Sequence, residues 1–153
     1  AEPAPVVGCK TYALGSIEYA AVASPEFMAR YFAGGVGATS LHAAPVLRFG
    51  RKDEIQSRWA EQAFGVSLDA PTHWAPSTQG MLDLARAGLG WSMTPCVLAQ
   101  PDVAAGRLVE LPSSKRLAVP LYWQRSRLSA QLLDRLTAAV RAVAGRSLLN
   151  RPG

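Results

Sequence analysis

The sequence predicts an α/β domain, a mixed sheet flanked by helices, and three observations carry that prediction. Short strand-forming runs alternate with helical patterns from end to end. The connections between them are short, on the order of two to six residues. Hydrophobic residues make up 49% of the 153 and charged residues 18%, a balance that can bury a core. Alternation with short connections is how a chain builds a mostly parallel sheet covered by helices.

The elements follow in order. Ile17–Ala23 is rich in strand formers and ends at Ser24-Pro25-Glu26. Ser24 can cap a helix there, with Pro25 at the first position, where a missing N–H costs nothing. Phe27, Met28, Tyr31 and Phe32 recur at helical spacing, and Gly34-Gly35 stops that helix. Pro45–Phe49 reads as a strand, Gly50-Arg51-Lys52 as a loop and Asp53 as the cap of a helix bearing Ile55, Trp59, Ala60, Ala63 and Phe64 on one face. That helix ends near Gly65. Thr72–Ala75 is a strand; Ser77 or Thr78 caps a helix with Met81, Leu82, Leu84 and Ala85, closed by Gly88.

Leu89–Met93 is the next strand, broken at Pro95, and a short helix covers Cys96–Gln100. Leu108–Leu111 and Val119–Trp123 are two more strands. The last element is an amphipathic helix from Ser129 to about Ala144, with Leu132, Leu133, Leu136, Val140 and Val143 inward and Gly145 as its stop. Apart from the Pro/Ala-rich first six residues there is no low-complexity tract, and there is no internal repeat.

Composition also bounds the function. No apolar run approaches the roughly 18 residues needed to span a bilayer, so no membrane is expected. The opening AEPAPVVGCK lacks the basic and apolar regions of an intact signal peptide. The net charge of +5 raises nucleic acid as a partner. The surplus, however, comes from scattered residues: Arg125, Arg127, Arg135, Arg141, Arg146 and Arg151 are spaced among acidic and apolar positions, as on a solvated helix face. Cys9 and Cys96 match no metal or redox spacing and read as reduced thiols in a cytoplasmic protein.

Enzyme signatures are missing. There is no G-x-S-x-G elbow and no GxxxxGK[ST] loop, and the Gly34–Gly37 run follows a helix, the wrong context for a phosphate cradle. His42 and His73 have no Cys or second His at metal spacing, and His73, beside Trp74, reads as a half-buried structural histidine. No catalytic residue, metal site or cofactor is therefore predicted.

Strand ends offer more. Ser77-Thr78 opens a helix just after a strand, which either caps the helix or holds an anion on its free N–H groups. Phe49-Gly50-Arg51 occupies the equivalent place after another strand; Gly50 allows close approach and Arg51 can clamp a carboxylate. Asp53 caps its helix or pairs with a cationic group of a ligand. Trp59, Trp74, Trp91 and Trp123 read as core, although Trp91 and Trp123 lie on strands expected to end at one crevice.

Four segments in register resemble the C-terminal half of LysR-type transcriptional regulators. They are Leu14–Phe27, Leu84–Pro95, Ala105–Leu111 and Pro120–Trp123, spread over about Gly8 to Leu148. Phe49–Asp53 and Pro120–Gln124 are most similar to the ArgP/LysG group, which controls export of lysine and arginine. The resemblance implies a periplasmic-binding-protein-like (type 2) fold with two α/β subdomains around an effector cleft. It implies that residues 1–18 end a first subdomain, 19–120 form the second, and 121–153 return to the first with the C-terminal helix. It also implies that the family's N-terminal winged helix-turn-helix is absent here and the first subdomain incomplete. Effector contacts of the family fall at positions matching Phe49, Gly50, Arg51, Ser77, Thr78, Thr94 and Trp123. The expected protein is a cytoplasmic effector-sensing domain that binds a small cationic amino acid and self-associates as a dimer or tetramer. It would act on DNA only through the absent N-terminal domain. A free-standing periplasmic solute-binding protein is the alternative.

Overall fold

The computed structural model describes residues 6–112, 115–127 and 130–149, with only the backbone for 130–132. Among these, the residues of 19–117 form one compact unit and those of 1–18 and 118–153 a second. Strand β1 (Cys9–Ala23) supplies both, with Tyr19–Ala23 in the larger unit.

In the larger unit, Ser24 opens α1 (Pro25–Tyr31): its buried Oγ accepts the Phe27 N–H at 3.2 Å, with Pro25 at the start. A helix absent from the sequence reading follows, α2 (Ala38–Ala43). The glycines before it do end α1, but Ser40 Oγ accepts the Gly37 N–H at 3.0 Å and Leu41 is fully buried, which holds one further turn and a half together.

Strand β2 (Val46–Arg48), helix α3 (Ile55–Phe64) and strand β3 (Thr72–Trp74) form a β-α-β unit with parallel pairing, Leu47 opposite His73. Trp59 and Ala60 of α3 are buried as the spacing predicts, whereas Ile55, Ala63 and Phe64 are half-buried. Gly65 ends α3 at φ +67, a left-handed conformation that only glycine adopts without strain. Helix α4 (Thr78–Arg86) buries Met81, Leu82 and Ala85. Strand β4 (Ser92–Pro95) includes Pro95 rather than breaking there. Just before it, Trp91 bridges Val46 in parallel: its N–H donates to the Pro45 carbonyl at 3.1 Å and its carbonyl accepts the Leu47 N–H at 2.9 Å.

The sheets carry mixed pairing, as the fold class predicts, but the expectation of a mostly parallel sheet is corrected. Strands β4 and β5 (Val109–Glu110) both pair antiparallel with β1, Ala21 opposite Met93 and Ala23 opposite Val109. The chain leaves β1 through its helices and returns to both its edges, so the parallel hydrogen bonding among the described residues is confined to β2, with β3 on one side and Trp91 on the other. The core includes Trp59 and Trp91, whose rings lie 5.3 Å apart, and the fully buried Val22, Leu47 and Leu108 of the sequence-predicted strands, with Leu41 added by α2.

Helix α5 (Cys96–Ala104) runs through Pro101, beyond the predicted end at Gln100. Proline inside a helix removes one hydrogen bond. Here the last turn is anchored by Asp102, whose buried carboxylate takes Arg86 at 2.5 Å and Arg107 at 2.6 Å.

In the second unit, β6 (Leu117–Ser126) pairs with β1 and precedes α6 (Ala130–Ser147). The predicted stop at Gly145 is overturned, because the helix continues and Leu149 then exchanges two backbone bonds with Ser16, at 2.9 and 3.1 Å. The predicted inward face is also shifted. Leu136 and Val143 are about half exposed, while Thr137 and Ala144 are buried, because Trp123 Nε1 donates to Thr137 Oγ1 and turns that face in. Ser129, Arg151 and the side chain of Leu132 lie outside the described residues. Arg125 is not part of a solvated face: it is largely buried and pairs with Asp134 at 2.6 Å. Cys9 and Cys96 are not joined in a disulfide.

Candidate binding cavity

In the larger unit a cavity of about 410 Å³ opens where the loop after β2, the start of α4 and strand β4 meet. That is within the roughly 300–1,000 Å³ of small-molecule sites. It lies beyond the carboxyl ends of β2 and β3, where α/β folds hold ligands. Its apolar walls are Phe49, Ile55, Met81, Met93 and Pro95; its polar groups come from Tyr19, Lys52, Asp53, Thr78 and Thr94, with Gly50 at the rim.

The loop between Phe49 and Asp53 is fixed from several sides. The Asp53 carboxylate accepts the Phe49 N–H at 2.8 Å, Gln56 Nε2 at 3.0 Å and the Ile55 N–H at 3.3 Å. Arg48 donates to the Asp53 carbonyl at 2.7 Å and to Ser57 Oγ at 2.9 Å. Gln56 is completely buried and also donates to the Leu47 carbonyl at 2.9 Å, so it ties strand to loop. Asp53 thus does more than the predicted cap. Glu54 holds the N-cap position of α3, and the Asp53 carboxylate closes the whole turn.

Five of the eight sequence-nominated residues line this cavity: Phe49, Gly50, Asp53, Thr78 and Thr94. Ser77 is the N-cap of α4, its Oγ accepting the Gly80 N–H at 2.9 Å. Arg51 is exposed and is not a lining residue; its neighbour Lys52 is. Trp123 belongs to the other unit, bonded to Thr137. Trp91 is fully buried in the core and is not among the residues lining this cavity. Trp74 and His73 depart from the reading in the opposite direction, for both are exposed.

Sequence reasoning missed Lys52, Tyr19 and Gln56, and took Met81 and Met93 for core alone. A loop of unknown turn geometry gives no signal as to which of two adjacent cations faces inward. Thr94 is buried, and its hydroxyl shares a hydrogen bond with Ser92 Oγ at 2.9 Å. Burial, and then the nearby Asp53 charge, push the Tyr19 phenol above its ordinary value, which keeps it a neutral donor. Among the described residues no group of three or more His, Cys, Asp or Glu is placed to hold a metal, and no helix is long and apolar enough to cross a membrane.

The profile of the LysR substrate binding domain matches residues 2–145. The chain belongs to that family. The HTH-type transcriptional regulator LysG of Mycobacterium tuberculosis is 39% identical over 97% of this chain and 50% of its own length. The solved structure of ArgP from the same organism superposes with a TM-score of 0.92 at 38% identity, covering 98% of this chain and 51% of that one. Full-length LysG from Corynebacterium glutamicum with bound effector Arg gives a TM-score of 0.81 at 36% identity, over 99% of this chain and 51% of that one. The LysR effector-domain fold, of the periplasmic-binding-protein-like type, is therefore that of this chain, and its relatives are regulators rather than enzymes. This LysR domain spans about half the length of the curated relatives it matches.

Proposed function

We propose that this LysR domain senses a cationic amino acid, arginine or lysine, in the cavity between the β2 loop, α4 and β4. The observation that carries the reading is the composition of that cavity. Methyl and methylene walls from Ile55, Met81 and Met93 suit a long aliphatic side chain, while Thr78, Lys52 and Tyr19 suit the polar head of an amino acid. Arginine bound to a relative 36% identical supports the same class of effector. Residues 19–120 act as the second regulatory subdomain, and 1–18 with 121–153 belong to the first. Binding shifts subdomain closure or packing between copies, and that shift is passed to helix-turn-helix heads in a cytoplasmic dimer or tetramer.

Isothermal titration of the chain with L-arginine, L-lysine and L-leucine tests this. Saturable heat with one of the first two and none with leucine is the expected result. Heat with neither cationic amino acid, or equal heat with leucine, overturns the assignment.

A further inference from the structure

We propose that Lys52 is the residue that reads the effector's α-carboxylate, and that Asp53 beside it braces the loop rather than binding the ligand's cationic end. The proposal rests on the sensing function given above and assigns charge recognition within that same cavity.

The cavity wall carries one cation and one anion, on adjacent residues, and their situations are opposite. The Asp53 carboxylate already accepts three N–H groups, from Phe49, Ile55 and Gln56. A carboxylate has about four acceptor positions, and three of these are held by the loop, so Asp53 is committed mainly to bracing the turn. Lys52 makes no ion pair or hydrogen bond among the described residues, yet it is one of the residues that line the cavity. It does not pair with Asp53, although the two are neighbours in sequence. The engaged acid and the unengaged base leave Lys52 as the charged group of this wall whose donors are open to an anion, and the hydroxyl-bearing Thr78 lines the same cavity. Arg51, which the sequence nominates for this task, lines none of it. An α-carboxylate is the anionic group that any free amino acid brings.

The test titrates the 153-residue chain with L-arginine and with agmatine, which is arginine without its α-carboxylate. Wild type should bind arginine tightly and agmatine roughly tenfold to a hundredfold more weakly, the span of one charge-assisted hydrogen bond. Lys52→Met should collapse that ratio toward one by weakening arginine alone, while Lys52→Arg and Arg51→Met should preserve it. The exposed position of Lys52 makes all three variants compatible with the wild-type thermal melt. An undiminished arginine-to-agmatine ratio in Lys52→Met, or its collapse in Arg51→Met instead, overturns the assignment while leaving the sensing function standing. No binding of arginine by wild type removes both.

Discussion

Asp102 shows how one side chain can decide a local structure. It is 1% exposed and takes both Arg86 and Arg107, joining the end of α4, the proline-containing α5 and the turn into β5. The hydrogen bonds from Arg86, and secondarily Arg107, hold its carboxyl below the usual aspartate range against the opposing effect of burial. A carboxyl depressed in the folded state adds stability that is complete above about pH 4, the unfolded value, and is lost as pH falls further. Asp102→Ala should cost about 2–3 kcal/mol, read as a lower urea midpoint at unchanged slope. Both arginines reach solvent, so the larger penalties of sealed ion pairs do not apply. Asp102→Asn should flatten the acid limb of the stability–pH curve. The same scale explains what the sequence concealed at the site. Phe49, Gly50 and Thr78 were legible because strand ends and helix starts are legible, and Thr94 only through the family resemblance. Lys52 was not, since the turn that aims it is made by Asp53 and Gln56, and a buried glutamine bridging strand to loop leaves no periodic trace.

Among the elements, β2 fits closely against the segment entering β4. A Cβ on Gly90 would stand 2.8 Å from Leu47 Cδ2 and 3.0 Å from the Pro45 carbonyl. Leu47 is fully buried and the carbonyl is bonded to Trp91 N–H, so neither can yield freely. Gly90→Ala should therefore destabilise by roughly 1–3 kcal/mol, the usual cost of overpacking, measured by thermal or urea unfolding. Ser24, Ser77, Gly65 and Gly88 mark helix ends where the sequence placed them, because caps and left-handed glycines are local chemistry. The errors are tertiary. Helix α5 passes its proline because Asp102 is anchored from outside the helix. Helix α6 passes Gly145 because Ser16 captures Leu149. Its buried face follows Trp123 and Thr137 rather than the leucine count.

For the molecule as a whole, ligand binding and stability are linked by mass action. If the cavity takes arginine in the folded state alone, a concentration one hundred times Kd adds about 2.7 kcal/mol. For a chain of this size that should raise Tm by roughly 5–10 °C, and thermal melts with arginine and with leucine check it; no shift at saturating arginine would contradict the sensing function. The alternation of strand and helix revealed the fold class but not the direction of pairing, since β1 carries no mark of the two strands that return antiparallel to it. That strand also ties the architecture to the order in which the chain is made. Residues 19–117 hold all the partners of their own unit and can close as soon as they are synthesised. The first half of β1 has to wait, because its neighbours are β6 and the residue after α6, near the other end of the sequence. Among the described residues the first half of β1 is thus paired with β6 only after the whole of the larger unit has been made, with an open edge in the interval that Lys10 within it helps to guard against intermolecular pairing.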